Sequence, residues 1–328
     1  MPSFRTGVVT EILEERSGLQ RVVVGDERAY VLTQLIGSVS VGDRVVMNTT
    51  AVELDLGTGG WHVVHWNLSR EAWTNPGPGH ILKLRYTSLQ TDTGAGEEGL
   101  DLPDTLDGLP VVACGLHSQL PCVAAVVRHL RPEARIAYVM TDGGSLPIAL
   151  SDMVHQLCAA QLVDLTITAG HAFGGDVEAV NLHSALVLAR HFGADVVVAG
   201  IGPGVVGTGT RLGHTGLDVV SILDATAALG GVPILAVRFS EADARERHQG
   251  PSHHSRTAVE LAAGQLVVTD PDTVDIPDVA ALLDAAGIRV TTMGRGPADD
   301  PAFFEWAGAA GVAAATRVPR RDGNVRPT

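Results

Sequence analysis

From residue 109 onward, short and almost unbroken apolar runs recur at 110–115, 135–141, 163–169, 195–200, 233–239, 265–269 and 288–293. A strand that is apolar along its whole length is buried on both faces, whereas a half-exposed strand alternates. Stretches long enough for helices separate the runs, with start signals at Ser118, Ser145, Asp176, Thr215, Ser252, about Asp272 and Pro301. Most of these residues suit a helix N-cap, and proline after Asp299-Asp300 suits a first turn. Strand–helix alternation of this kind predicts an α/β fold: a doubly wound, mostly parallel sheet with right-handed crossovers.

The first 75 residues read differently. Runs rich in Val, Ile and Thr at 7–12, 21–24, 29–32, 44–47 and 61–64 alternate with turn signals such as Gly25-Asp26 and Val41-Gly42-Asp43. Five short strands at this spacing predict a small N-terminal β-barrel-like module of the OB or SH3-like kind over 1–75. Asn75-Pro76-Gly77-Pro78-Gly79 then breaks the chain, because two prolines and two glycines in five residues continue neither helix nor strand. The α/β domain is expected over 80–316, opening with a strand at 80–86 and a long loop at 91–108, and followed by a basic, flexible tail at 317–328.

Composition excludes several function classes. The net charge of −14 opposes binding to nucleic acid or to an anionic membrane surface. No stretch approaches the roughly 18 consecutive apolar residues of a membrane span, and residues 1–16 lack a signal peptide's apolar region. Three cysteines, Cys114, Cys122 and Cys158, without metal-type spacing, read as thiols in a reducing compartment, so a cytoplasmic location is expected. Lys83 is the only lysine, which rules out a phosphate loop ending in Gly-Lys-Ser/Thr. A homo-oligomer is compatible with all of this.

In an open parallel sheet, ligands bind beyond the carboxyl ends of the strands. The segments expected there are rich in Gly, Asp, His, Ser and Thr: 115–119 with Ser118, 142–145 with Asp142, 170–176 with His171 and Asp176, 200–210, and 238–255 with Arg238, His253 and His254. Gly202-Pro203-Gly204-Val205-Val206-Gly207 fits G-x-G-x-x-G, but its helix starts late and Arg238, not an acid, ends the next strand. A dinucleotide fingerprint needs the opposite in both respects. An anion cradle built from Gly202, Gly204, Gly207, Thr208, Gly209, Thr210 and Arg238 suits the residue types better, since small residues let backbone N–H groups approach a ligand. His171 and one of His253 or His254 are the candidate proton carriers, with Asp142 or Asp176 orienting a histidine, and Ser118 is the candidate nucleophile. A metal, if any, falls to Asp142, His171 and Asp176, although no HExxH or HxxxH spacing is present. The plainer account is that Ser118, Ser145 and Ser252 cap helices and that the acids brace loops.

The stretches 80–87, 141–147 (opening Thr141-Asp142-Gly143-Gly144-Ser145), 172–181, 202–210 and 252–255, together with 48–54, are similar to those of a bacterial family, the domain of unknown function three-eight-six-six. The resemblance spans nearly the whole chain and implies no activity, cofactor or site residue. The residues themselves favour an enzyme, a hydrolase or transferase acting on a small anionic metabolite in the crevice; its cofactor stays unknown. Two alternatives remain open: a non-catalytic metabolite-binding or regulatory protein, and an assembly protein without a small ligand. Limited proteolysis is expected to cut first between about Asn67 and His80 or within 91–108; early cuts inside 163–170 or 194–202 would refute this division.

Overall fold

The computed structural model describes residues 2–319, so most of the expected tail at 317–328 lies outside the described residues. Two compact units emerge, Met1–Ala95 and Gly96–Thr328, and residues 80–95 group with the first.

In the first unit, β1 (Phe4–Arg16), β2 (Leu19–Val24), β3 (Glu27–Leu32), β4 (Arg44–Asn48) and β5 (Trp61–Asn67) close a barrel in the order β1-β2-β3-β5-β4. β1 pairs antiparallel with both β2 and β4, and irregularities near Thr10 and Leu13 bend it between the two. β3 and β5 run parallel, which gives the closure a Greek-key connection. Alternate residues point inward, and Val9, Val22, Val24, Val31, Val45, Met47 and Val64 fill the interior. Two helical turns, α1 (Thr33–Ile36) and α2 (Thr50–Glu53), lie in the connections. The strand expected at 80–86 shrinks to β6 (Leu82–Lys83), paired with β7 (Thr91–Asp92). Leu84 and Tyr86 adopt φ of 53° and 61°, outside the extended region, which ends the strand there.

The second unit is the expected α/β domain. Seven parallel strands are β8 (Pro110–Cys114), β9 (Ile136–Thr141), β10 (Leu165–Ala169), β11 (Val177–Ala179), β12 (Val196–Ile201), β13 (Val232–Ala236) and, after the small antiparallel pair β14 (Phe239–Ser240) and β15 (Gly250–Pro251), β16 (Val267–Val268). Their order is β11-β10-β9-β12-β8-β13-β16. Helices α3 (Leu120–Leu130), α4 (Asp152–Ala159), α8 (Val279–Ala285) and α9 (Pro301–Ala315) cover one face. The other face carries α5 (Leu182–His191) and α6 (Asp218–Ala228), with Ala258 of α7 (His253–Leu261). Gly311 lets α9 reach α3: a Cβ there would stand 2.9 Å from that of Val126. Among the described residues, no helix is long and apolar enough to cross a membrane.

Four expected elements differ. Residues 288–293 form no strand; Ile288 and Val290 are buried in the core, but β16 at that edge is only two residues long and offers no ladder to extend. The helices expected at Ser145, Asp176 and Asp272 start instead at Asp152, Leu182 and Val279, capped by the side chains of Ser151, Asn181 and Asp278. At the earlier positions the backbone is occupied otherwise: the Ser145 N–H donates to the Pro203 carbonyl, and Asp176 accepts from Thr166. Starts near Ser118, at Thr215, after Ser252 and at Pro301 are present.

The crossover after β8 runs through α3 towards β9 on one side, and that after β13 runs through α7 to β16 on the other. The crossovers therefore diverge between the neighbouring strands β8 and β13, which makes this the topological switch point of the sheet. At the end of β8, His117 braces the crevice: its Nε2 lies 2.7 Å from the Ser151 Oγ and its Nδ1 3.4 Å from the Ile201 carbonyl. Burial pushes its pKa from 6.5 down to about 4. The unfolded chain then takes up the proton first as pH falls, so the stability this residue contributes is complete above about 6.5 and is lost towards pH 4. His117→Gln is expected to flatten the decline of the urea midpoint between pH 7 and 4; an unchanged slope would refute the assignment.

Candidate functional site

A cavity of about 150 Å³ opens at the switch point. Its floor begins with Leu116 after β8, one wall is the 205–209 segment after β12, and the other is the chain from Arg238 to His254 after β13. Arg238, Arg245, Arg247, His248, His253 and His254 line it, and no carboxylate does.

Arg238 is held at both ends. Its backbone N–H donates to the Ser255 Oγ at 2.8 Å, and its carbonyl accepts the Ser252 N–H at 2.8 Å, which fixes the start of α7 against the end of β13. The side chain is 8% exposed. One guanidinium nitrogen donates to His254 Nδ1 at 3.3 Å, and another lies 3.5 Å from Asp243 Oδ2. Arg245 grips the same carboxylate with two hydrogen bonds of 2.9 and 2.8 Å, and Arg295 bridges Asp243 and Asp300. Burial and the neighbouring guanidiniums push Arg238 down to about 10, still charged at neutral pH. The Arg245 hydrogen bonds hold Asp243 well below the usual carboxylate range.

Four histidines crowd together here. The Ser252 Oγ caps α7 by accepting the His254 N–H, and the same oxygen lies 2.7 Å from His248 Nδ1. His214, just before the turn that leads into α6, stacks on His254 with ring centroids 3.6 Å apart and an angle of 8°. His253 meets both rings edge-on. Ligating atoms of His214, His253 and His254 all lie within 4.8 Å of one another. Burial first, then the surrounding cationic groups, lowers all four: His254 to about 2, His248 to about 3, and His214 and His253 in the same direction. At neutral pH they therefore present lone pairs rather than positive charge.

The glycine-rich segment delivers His214. The Thr208 N–H donates to the Gly213 carbonyl, the Thr215 N–H to that of Val206, and Gly207 bridges His214 across the fold-back. The Thr208 and Thr210 hydroxyls lie 3.0 Å apart, and Thr210 Oγ1 accepts the Gly213 N–H, so both brace the loop. Gly207 and Gly209 line the cavity. Gly204 and Gly209 have φ of 99° and 78°. Gly202 instead allows loop packing, since a Cβ there would stand 2.4 Å from the Ser145 carbonyl oxygen.

Other residues singled out from the sequence lie apart from this cavity. The Asp142 carboxylate accepts the His171 N–H at 2.9 Å and braces that loop. Asp176 accepts from the N–H and hydroxyl of Thr166, the second residue of β10, well short of that strand's carboxyl end. Asp142, His171 and Asp176 do not form a three-donor cluster among the described residues; the cluster is the histidine trio. Ser118 sits in the turn before α3, its carbonyl accepting the Cys122 thiol. His214 and Arg245 escaped the sequence reading, which marked only the neighbouring Thr215 as a helix start; a histidine beside that entrance was the available signal.

No curated protein matches this chain significantly. A family model described as Protein of unknown function (DUF3866) matches residues 28–279, which takes in part of each unit and every residue named above as lining the cavity. That match covers well over half of the sequence, and the chain belongs to this family of uncharacterised proteins.

Proposed function

We propose that the cavity between β8 and β13 binds a small anionic metabolite and is the active site of a hydrolase or transferase acting on it. One observation carries this reading: three arginines line the cavity beside histidines whose protonation burial disfavours, and no carboxylate lines it, in a chain whose net charge is −14. Concentrated positive charge in an acidic protein attracts anions to one place. Arg238 offers a fixed, buried donor, and the exposed Arg247 offers a second at the mouth. Guanidinium groups suit phosphate or carboxylate because their donors match both oxygens of such a group. The glycines beside them leave room for the ligand.

The same charge balance supports neither nucleic acid nor an anionic membrane as partner, and a homo-oligomer is compatible with the reading. Cys114, Cys122 and Cys158 are free thiols, which supports a cytoplasmic location.

Inorganic phosphate is the first probe. It is expected to raise the melting temperature of the chelator-treated protein, and Arg247→Gln, a surface change, to weaken binding by about 1.5–3 kcal/mol, roughly 10- to 150-fold. Arg238→Gln is expected to abolish it. Turnover is then sought with a panel of phosphate and carboxylate esters. Binding without turnover would leave a metabolite sensor; no response to any small anion would refute the pocket's role.

A further inference from the structure

We propose that His214, His253 and His254 together coordinate a divalent metal ion of borderline softness, such as Zn²⁺, through three nitrogens with a fourth position open. The chemical role drawn for the ion rests on the anion-pocket reading above; the coordination itself stands on geometry.

Three separate observations converge. The ligating atoms already lie within 4.8 Å of one another. Nitrogens about 2.1 Å from a tetrahedral ion stand about 3.4 Å apart, so the trio closes in by no more than about 1.4 Å. Two nitrogens of these rings, His214 Nδ1 and His253 Nε2, are buried and have no hydrogen-bond partner among the described residues, and His214 is 8% exposed as a whole. Buried imidazole nitrogens are ordinarily satisfied, and a lone pair left over is the donor a metal takes. The tautomer is also set: the opposite nitrogen of His214, Nε2, lies 3.2 Å from the Arg211 carbonyl, which can only accept. Nε2 therefore carries the proton and Nδ1 the lone pair, the outer-sphere arrangement that orients metal-bound histidines.

Gly216 marks where the ion sits. A Cβ on this residue would lie 3.2 Å from His214 Nδ1 and 3.2 Å from His254 Nδ1, so both nitrogens face the space that the missing side chain leaves. Stacked parallel rings direct their lone pairs side by side rather than at one point, so coordination requires His214 and His254 to splay. His254 Nδ1 then exchanges its long contact with Arg238 for the ion and frees that guanidinium to face an anion. Three neutral ligands leave the ion's charge uncompensated, which favours water of raised acidity or the anionic substrate at the fourth position. Nitrogen donors without thiolates suit zinc and its neighbours rather than magnesium or calcium.

The test uses the full-length protein after chelator treatment, titrated with Zn²⁺ against a chromophoric chelator. One ion per chain is expected. His214→Gln, His253→Gln and His254→Gln are each expected to weaken binding by more than about 100-fold, beyond what loss of an outer-sphere partner costs. Gly216→Ala keeps all three ligands and is expected to weaken binding too, by filling the ion's place; it stands in for any histidine variant that fails to fold. With Co²⁺ in place of zinc, the visible spectrum of a four-coordinate site is expected. Absence of Zn²⁺ binding, or binding that all four substitutions leave unchanged, overturns the proposal. Phosphate binding to the same chelator-treated protein separates the two readings. A phosphate response without Zn²⁺ binding removes only the metal, and Zn²⁺ binding without a phosphate response removes only the anion.

Discussion

The buried guanidinium of Arg238 is the constraint around which this site is arranged. A charge taken out of water costs several kcal/mol unless it is paired and hydrogen-bonded. Here the pairing is shared: Asp243 is gripped in two places by Arg245 and reached at 3.5 Å by Arg238 and Arg295. Asp300, fully buried before α9, closes the chain of charges through Arg295 and Ser240. Satisfying one cation therefore fixes the end of β13, the segment to His248, the entrance of α7 and the entrance of α9. Three guanidiniums share two carboxylates, and Arg247 adds another cation at the cavity. The network holds itself together while keeping an excess of positive charge, and that excess is the property an anionic ligand would neutralise.

Much of the fold was legible because its determinants are local. Each central strand is apolar on both sides, as β9 with six buried residues in succession illustrates, and no other element reads that way over so short a length. The barrel was legible through alternation and its turn glycines. Legibility failed where a residue type serves two purposes. Ser145 and Asp176 look like caps, but the backbone N–H of the first is spent on Pro203, remote in sequence, and the carboxylate of the second on Thr166 of the preceding strand. Ile288 and Val290 look like a strand because burial alone fixes their chemistry; whether they join a ladder depends on a neighbour that sequence does not display.

The site was legible in outline and not in detail, for a related reason. Arg238, His253 and His254 follow directly from a strand end and a helix start, so the topology rule finds them. His214 enters from a different crossover, and only the fold-back between Thr208 and Gly213 turns it towards α7. Asp142 and His171 obey the same topology rule but end together beside β9 and β10, on strands outside the switch point. A polar residue at a strand's carboxyl end is thus a weak signal by itself; the crossover directions decide which ends converge.

The glycines after β12 illustrate how one composition hides several physical tasks. Gly202 is required by a neighbouring carbonyl, Gly204 by a backbone angle with open space around it, and Gly207 by the His214 side chain, whose Cβ would lie 3.2 Å away. Only Gly207 and Gly209 face the cavity. Glycine density here measures how sharply the chain must reverse to set an imidazole against α7, and the space left beside the arginines follows from that reversal. The segment acts first as a scaffold for His214. In the proposed anion pocket its contribution would come through the histidine it positions and the bulk it withholds, more than through hydroxyl groups already engaged within the loop.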